Sequence, residues 1–422
     1  MSNRLNRITR TTLTVSLMAA FAGALGAQQA VAAQPTVEEK LEIMQQEIET
    51  LKSQAAKSSG PGDKHGMAGS TTIGGYGEMH LNKLKNKKPG GTNKDELDFH
   101  RFILFVGHEF NDRVRFFSET EFEYAVTGGK NGLGKDNPGK VELEQAYLDF
   151  TLNDTLSAKA GLFLVPVGII NETHEPPTFY GVERNPVENK IIPATWWEGG
   201  AGITARLGDG FTLDGAITSG LKTALKKSAT VSCTTATPSV CTSTAATSNY
   251  AVRDGRQFVA QAAAKDPAYT ARLKWAGMPG VELAGSVQYQ ADITQSTDPA
   301  AGSAMLYEAH AVVSKGPVGL KALYAQWNLD GSGPKAVGAD KQNGWYVEPA
   351  WKISEQWGVF ARQSRWDNQA GDAADSKYSQ ADVGVNYWPH PDVVVKLDFQ
   401  NQKSPTGKDE FDGFNVGVGY QF

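Results

Sequence analysis

The 422-residue chain has little of what marks an enzyme, a metal protein or a helical membrane protein. It holds only two cysteines and seven histidines, and the histidines show no metal-ligand spacing. No apolar run reaches the length of about 18 residues that a membrane-spanning helix needs. The formal charge of −5, without a basic patch, gives no support to nucleic-acid binding. We therefore predict no catalytic site, no cofactor, no metal site and no nucleic-acid partner.

The first 32 residues are typical of a secretory signal peptide. Three arginines and no acidic residue precede an apolar stretch at 13–25, and Ala30-Val31-Ala32 forms a small-x-small cleavage site. We expect cleavage near Ala32/Ala33. Loss of the three arginines takes the formal charge from −5 to −8.

A short heptad pattern follows at residues 33–56. Val37, Leu41, Met44, Ile48 and Leu51 have the spacing of a coiled-coil seam. The pattern covers only about two heptads, so a solvated helix is the alternative to an oligomerisation stalk. Residues 57–69 are rich in Gly and Ser and are predicted to be a flexible linker.

From residue 70 to the end, segments of about ten residues alternate between apolar and polar side chains. For example, Val281, Leu283 and Val287 alternate with Glu282 and Gln288. A soluble β-sandwich alternates in the same way, but its polar face is the outer one. Alternation alone therefore does not separate a sandwich from a membrane barrel.

The connections between these segments separate the two folds. Short turns such as "LNDTLS", "AGMPGV" and "WPHPDV" alternate with longer polar connections, for example 82–97, 125–140, 165–200 and 221–267. This rhythm and the signal peptide predict an all-β fold, a transmembrane antiparallel β-barrel of about 16 strands over residues 70–422. The sheet must close, because an open edge would leave backbone groups unsatisfied in hydrocarbon.

Aromatic residues cluster at the predicted strand ends, which indicates two interfacial girdles. Those that flank the short turns are Trp275, Trp351, Trp357, Tyr387 and Trp388. Those that lie near the long connections are Trp327, Trp345 and Trp366.

The last strand, "GFNVGVGYQF", places Phe414, Val416, Val418, Tyr420 and Phe422 on one face. A terminal aromatic strand that ends in Phe resembles the assembly signal of bacterial outer-membrane proteins, which assigns that role to Tyr420 and Phe422. We expect Phe422 to anchor in the membrane interface at the end of a lipid-facing row.

Most of residues 71–422 resembles the phosphate-selective porin O and P family and its porin-like relatives. The stretches that carry the resemblance are "LDFHRFILFVGHEFNDRVRFFSETEFE", "AGLFLVPVGIINETHEPPTFYGVERNP" and "GRQFVAQ". The resemblance implies a passive diffusion channel in a Gram-negative outer membrane, with lipid, small hydrophilic solutes or inorganic ions as partners. The heptad stalk fits those relatives that associate as homotrimers.

The family's phosphate-binding members line the pore with a ladder of arginines, whereas strand two of this chain offers only Arg101. A weakly selective channel is therefore the main prediction. A phosphate- or anion-selective porin, and an adhesin or receptor barrel that acts through its long loops, are the alternatives.

Strand parity places a mixed set of charges in the lumen, because a basic residue on the lipid face at the midplane would cost roughly 2–4 kcal/mol. The predicted pore-lining residues are Arg113, Arg115, Glu119, Glu121, Lys159, Arg206, Arg272 and Lys274.

The connection at 165–200 is long and rich in Pro, Ile and aromatic residues, so it is predicted to be ordered and functional. The third loop of porins commonly folds inward, and this resemblance implies a constriction here. An external loop packed on the rim is the alternative. The charged residues assigned to the constriction are Glu172, Glu175, Glu183, Arg184 and Glu188. We expect this largely acidic loop to oppose a basic wall.

Cys233 and Cys241 lie in a Ser/Thr-rich segment. In an oxidising compartment, two cysteines this close in sequence predict a local disulfide in an external loop.

Overall fold

The computed structural model describes residues 70–130, 136–223, 230–233, 241–244 and 249–422, with the backbone alone at 230–233 and 241–244. The predicted signal peptide, coiled-coil stalk and linker lie outside the described residues and stay predictions. Among the described residues, no helix has both the length and the apolar character needed to cross a bilayer.

The described residues form long strands with a few short helices between them. The strands are β1 (Thr71–Asn86), β2 (Lys94–Asn111), β3 (Val114–Glu123), β4 (Lys140–Thr151), β5 (Leu156–Leu164), β6 (Trp197–Gly208), β7 (Phe211–Thr218), β8 (Thr230–Cys233), β9 (Cys241–Thr244), β10 (Ala268–Met278), β11 (Val281–Gln290), β12 (Ala304–Lys315), β13 (Val318–Leu329), β14 (Lys341–Lys352), β15 (Trp357–Asp367), β16 (Tyr378–His390), β17 (Val393–Lys403) and β18 (Phe411–Gln421). The helices are α1 (Pro186–Lys190), α2 (Ser332–Ala336) and two 3₁₀ turns, Pro176–Thr178 and Val252–Gly255.

All strands except β8 and β9 close into one antiparallel barrel of 16 strands, as the sequence predicts. Each barrel strand pairs with its neighbours along the chain, and β7 pairs with β10 because β8 and β9 form a separate hairpin. β1 pairs with β18 from Tyr76–Gln421 to Asn86–Phe411. Beyond this ladder, the amides of Gly75 and Phe422 each donate to the other's carbonyl oxygen at 2.9 Å. The first and last strands therefore close the barrel, which confirms the predicted closure of the sheet.

Short turns and longer loops alternate around the barrel, also as predicted. The bounds of the first loop were predicted wrongly: it covers 87–93 rather than 82–97, because β1 and β2 run for 16 and 18 residues. A barrel strand needs only about 9–11 residues to cross the bilayer. Beyond that thickness both faces of a strand can be polar, so the apolar alternation ends before the strand does.

The outer face of the barrel is apolar and the inner face is polar, as a membrane requires. On β11, Leu283, Val287 and Tyr289 are exposed on the outside, whereas Ser286 and Gln288 are buried inside. A soluble sandwich would bury the apolar set instead. The outer surface is therefore the lipid-facing one, and the polar face lines the lumen.

The predicted aromatic girdles are only partly correct. Trp357 and Tyr387 lie together on the outside beside a short turn, with ring centroids 4.4 Å apart. Trp327 and Trp366 are instead buried inside the barrel, and Trp388 donates from Nε1 to the carbonyl of Pro177 in the third loop at 3.3 Å. These three side chains point inward because they pack against loop residues, a partner that strand-end position does not reveal.

Phe422 gives a first test of the barrel's assembly. Its ring is 62% exposed and lies 6.2 Å from the ring of Phe102, so it can anchor in the interface. We expect Phe422→Ala, which keeps the closing backbone bonds, to lower the amount of heat-modifiable folded barrel in the outer membrane. Phe414→Ala is the matched control, because Phe414 is an exposed aromatic on the same strand but not at its end. Equal yields of folded barrel for the two variants would contradict a specific role of the terminal residue.

Candidate functional site

The third loop, residues 165–196, leaves β5, crosses the lumen and returns to β6. It contains the 3₁₀ turn Pro176–Thr178 and helix α1. Asn185 caps α1 by accepting a hydrogen bond from the amide of Glu188 at 2.9 Å, and Pro186 occupies the first helical turn. This local ordering makes the loop a defined body rather than a flexible connection.

Side chains of the far wall hold the loop by its backbone. Arg362 on β15 donates to the carbonyl of Tyr180 at 2.7 Å, and Lys396 on β17 donates to the carbonyl of Gly181 at 2.8 Å. Asp398 on β17 accepts from the amide of Val182 at 2.6 Å. Charged partners make stronger hydrogen bonds than neutral ones. The wall therefore provides hydrogen-bond partners, in place of water, for the backbone of three successive residues at the tip of the loop.

Glu188 stabilises the loop through hydrogen bonds within the loop and to β14. One carboxylate oxygen accepts from the amides of Ile169 and Ile170 at 2.8 and 2.6 Å. The other accepts from the Tyr346 hydroxyl of β14 at 2.8 Å and from the Asn185 side chain at 3.1 Å. Because Glu188 is buried and its lone pairs are used, this residue assigned to the constriction holds the loop together rather than presenting charge to the pore.

An apolar cluster fills the space between the loop and strands β12–β15. Its members from the loop are Val165, Val167, Ile169, Val187, Ile191, Ile192 and Trp196, and its members from these strands include Leu306, Leu323, Trp327, Tyr346 and Trp366. Trp327 also donates from Nε1 to the carbonyl of Ile191 at 3.0 Å. Burial of apolar surface contributes about 25 cal/mol per Å², so a cluster of this size holds the loop firmly against strands β12–β15.

The fourth loop, between β7 and β10, hydrogen-bonds the backbone of the third loop. Arg253 donates to the carbonyls of Asn189 and Ala194 at 2.7 and 2.9 Å, and Arg256 donates to that of Thr195 at 2.7 Å. Burial lowers the pKa of Arg253 to about 10, so this side chain remains a cation at neutral pH. Two loops thus pack on each other inside the barrel.

Most of the predicted cations do lie on the inner face. Arg115 pairs with Asp149 at 2.9 Å, and Lys274 pairs with Glu282 at 3.6 Å. Lys159 lies over the ring of Phe163 at 4.7 Å, and Arg206 is exposed at the end of β6. Arg115 and Lys274 keep 45% and 33% of their side-chain exposure. We call the inward-facing group of Arg115, Asp149, Arg206, Lys274 and Glu282 the short-turn vestibule.

Two predicted lining residues need correction. Arg113 lies in the turn between β2 and β3, outside the strands, so it does not contribute to the wall. Arg272 is buried, and its guanidinium group binds Glu172 of the third loop and Asp214 of β7. Because one of these two carboxylates belongs to the third loop, Arg272 ties the loop to the wall. Its positive charge is matched by the two carboxylates.

The remaining loop charges are also engaged or partly covered. Glu183 lies 3.4 Å from His80 Nδ1 and accepts from Asn82 at 3.0 Å, both on β1. Arg184 donates to the Thr195 hydroxyl within the loop, and Glu175 is half-buried. Of the charges assigned to the constriction, Glu172 and Glu183 therefore pair with basic side chains of the wall, whereas Arg184 and Glu188 bind uncharged groups.

The predicted acids Glu119 and Glu121 face the lumen but are buried. Glu119 accepts from Gln145 at 2.6 Å and approaches His174 of the third loop at 3.3 Å. Sequence reasoning missed His174 and its neighbour Glu144. It also missed Arg362, because β15 carries large apolar residues on both faces: Phe360 and Trp366 point inward, toward the loop residue Tyr180 and the apolar cluster.

The backbone of the hairpin β8–β9 pairs Cys233 directly with Cys241. Directly opposed antiparallel positions bring Cβ atoms close enough for a disulfide. The side chains lie outside the described part of the chain, so the disulfide stays a prediction.

A sequence model of the family described as "Phosphate-selective porin O and P" matches residues 75–422, which is the whole barrel apart from its first four residues. The chain belongs to this family. Among curated proteins, an uncharacterized protein of Aquifex aeolicus is 26% identical over 390 residues, which cover 83% of this chain and 80% of the relative.

Solved outer-membrane proteins share the fold of this porin. The outer membrane channel DcaP of Acinetobacter baumannii superposes with a TM-score of 0.53 at 13% identity, over 86% of this chain and 99% of that one. The trimer form of OmpT of Vibrio cholerae gives 0.51 at 10% identity, over 84% and 100%. Family and fold together make the protein an outer-membrane porin, a channel rather than an enzyme.

Substitution of Glu188 tests whether the third loop narrows the channel of this porin. In Glu188→Ala, the buried amides of Ile169 and Ile170 lose their acceptor, at a cost of about 2–4 kcal/mol to the docked loop. We expect higher single-channel conductance and faster proteolysis within 165–196. Glu175→Ala is the matched control on the same loop, since no side-chain hydrogen bond of Glu175 lies within the described residues. If Glu188→Ala folds and conducts like wild type, the loop is not the constriction.

Proposed function

We propose that this porin is a weakly selective diffusion channel for small hydrophilic solutes and ions, narrowed by its third loop. The observation that carries this proposal is the attachment of the loop tip to β15 and β17, across the barrel from β5, where the loop begins. A loop held at both sides divides the lumen and leaves a smaller passage than the barrel itself would have.

Weak selectivity follows from the pairing of charges in the lumen. In the short-turn vestibule, the cations Arg115 and Lys274 each face a carboxylate. Such mixed walls attract anions and cations to different sides rather than excluding either. The Debye length is about 8 Å at physiological salt, so any remaining preference should fade as salt rises.

The inward arginines do not favour a specific phosphate site. Arg101 is bound to Glu78 at 2.6 Å, Arg362 to Glu348 at 2.7 Å, and Arg272 to two carboxylates. A phosphate ion would have to displace these carboxylates to use the guanidinium groups. The pairing therefore supports general diffusion over the phosphate selectivity in the family's name.

The native protein is further proposed to be a homotrimer in the Gram-negative outer membrane, processed near Ala32/Ala33. The trimer form of OmpT, a protein of similar fold, and the heptad pattern at 33–56 support this assembly. Light scattering of the detergent-solubilised protein should give three chains, and the intact mass should correspond to a chain that begins near Ala33. A monomer would contradict the proposed trimer, and an uncleaved chain would contradict the proposed processing.

The vestibule gives the test of selectivity. We expect Arg115→Glu with Arg206→Glu to shift the reversal potential toward cations in a salt gradient, with conductance largely kept. An elementary charge a few Å from an ion contributes about 1 kcal/mol in water, a factor of about five, so reversal of two charges should lower the anion-to-cation permeability ratio at least about five-fold. Lys408→Glu in the external loop between β17 and β18 is the control. An unchanged reversal potential in the double variant would mean that the vestibule charges do not influence ion selectivity.

The same recordings decide between the alternatives. A diffusion channel conducts in stable steps, and we expect micromolar phosphate to leave its chloride current unchanged. A block at that concentration would show a phosphate-selective porin instead. Absence of conductance steps from a folded barrel would favour an adhesin or receptor.

A further inference from the structure

Three buried side chains converge where the third loop meets the wall of β3 and β4. Glu119, Glu144 and His174 are exposed by 1%, 1% and 3%. Each offers one ligand atom, and these atoms all lie within 4.8 Å of one another. His174 Nε2 is 3.3 Å from Glu119 Oε1 and 3.8 Å from Glu144 Oε2. The cluster is separate from the short-turn vestibule.

A β-bulge creates this convergence. Glu119 pairs with Gln145, but the next residue of β3, Thr120, pairs with Leu143, so Glu144 is the extra residue on β4. A bulge redirects side chains at the point where it interrupts the alternation. Here it allows Glu144 to enter the cluster and Gln145 to donate to Glu119 Oε2 at 2.6 Å.

The imidazole of His174 is oriented like that of a metal ligand. Its Nδ1 lies 3.2 Å from the carbonyl oxygen of Asn171, which can only accept, so Nδ1 carries the hydrogen. Nε2 then points at the two carboxylates. Metal-ligating histidines commonly donate their other nitrogen to a backbone carbonyl in this way, and ligating carboxylates are commonly hydrogen-bonded, as Glu119 is by Gln145.

The cluster also has unmatched negative charge. Glu144 Oε2 is buried and has no hydrogen-bond partner, and the buried carboxyl of Glu121 is close by on β3. Arg101 hydrogen-bonds Glu78 and the carbonyl of His174, and it acts on Glu121 and Glu144 only over a longer range. Arg256 interacts with these acids over a longer range, while its Nη1 hydrogen-bonds Thr195. A buried carboxylate oxygen without a hydrogen-bond partner is costly, and a cation or a proton at this place removes that cost.

We propose that Glu119, Glu144 and His174 bind one divalent first-row transition-metal ion, with Zn²⁺ as the best match, and that this ion joins the third loop to β3 and β4. Zinc bonds of about 2.0–2.2 Å to nitrogen and oxygen give tetrahedral edges of roughly 3.3–3.6 Å, close to the 3.3 and 3.8 Å that separate His174 Nε2 from the two carboxylates. An imidazole with carboxylates suits Zn²⁺ better than Ca²⁺ or Mg²⁺, which prefer oxygen ligands throughout. Glu121 or a water molecule can supply the fourth position.

The experiment uses the full-length mature chain with Cys233→Ser and Cys241→Ser, so that thiolates cannot bind the metal. The chain is refolded into detergent with Zn²⁺, with Co²⁺ or with a chelator, and bound metal is measured after dialysis. We expect about one Zn²⁺ per chain, a Co²⁺ absorption spectrum of low coordination number, and slower proteolysis of the third loop in the metal-loaded form. Refolding with Ca²⁺ or Mg²⁺ should not reproduce these effects.

Variants connect the metal to the cluster. Glu144→Gln and His174→Asn should each weaken Zn²⁺ binding more than about ten-fold, whereas His390→Asn, at an exposed histidine, should not change it. If either ligand variant fails to fold, Gln145→Ala keeps all three ligands and should still lower the affinity.

Sub-stoichiometric metal in the folded wild type would overturn the proposal, and so would wild-type affinity in folded Glu144→Gln. The cluster would then hold a proton shared between Glu121 and Glu144 beside a charged His174. Neither result would bear on diffusion, because conductance is measured separately.

Discussion

The docking of the third loop onto the inner wall is the constraint on which the rest of the structure depends. Inside a barrel, a loop that crosses the lumen must find partners for its backbone groups or keep them in water. The wall supplies them through Arg362, Lys396 and Asp398 at the tip, while Glu188 supplies them within the loop. These buried charges are therefore structural, and their cost is offset by the hydrogen bonds that they make.

This constraint also explains the distribution of charge in the channel. The side chains that fasten the loop are buried and paired, as in the contact of Arg272 with Glu172 and Asp214. The short-turn vestibule holds charges that remain in contact with water, such as Arg115 and Lys274, and there the signs are mixed. The rigidity of the loop and the proposed weak selectivity thus have one origin: many inward charges hold the loop, and fewer are left to select ions.

The fold could be predicted from the sequence because it depends on a local pattern. The period of two and the alternation of short turns with long loops are visible residue by residue, and they determine strand number and closure. The site could be predicted only in part. Parity placed Arg115 and Arg272 on the inner face, but their different roles depend on partners 34 and 100 residues away in the chain.

Two further errors have the same physical basis. Trp327 and Trp366 lie at strand ends, where an interfacial girdle is the usual environment, yet the apolar loop offers them a buried one. Glu144 enters its cluster through a bulge, which shifts the inward and outward alternation of β4 and leaves no mark in composition or spacing. Long-range contacts and register irregularities are therefore the features that sequence reasoning missed here.

A cross-link between the loop and the wall tests the central claim most directly. A Cβ atom built at Gly417 on β18 would lie 3.6 Å from Cβ of Val182 at the loop tip, a separation that suits a disulfide. In a background without Cys233 and Cys241, Val182→Cys with Gly417→Cys should oxidise spontaneously and conduct like the uncross-linked parent before and after reduction. Failure to cross-link, or a conductance that rises on reduction, would mean that the loop leaves the lumen when the channel conducts.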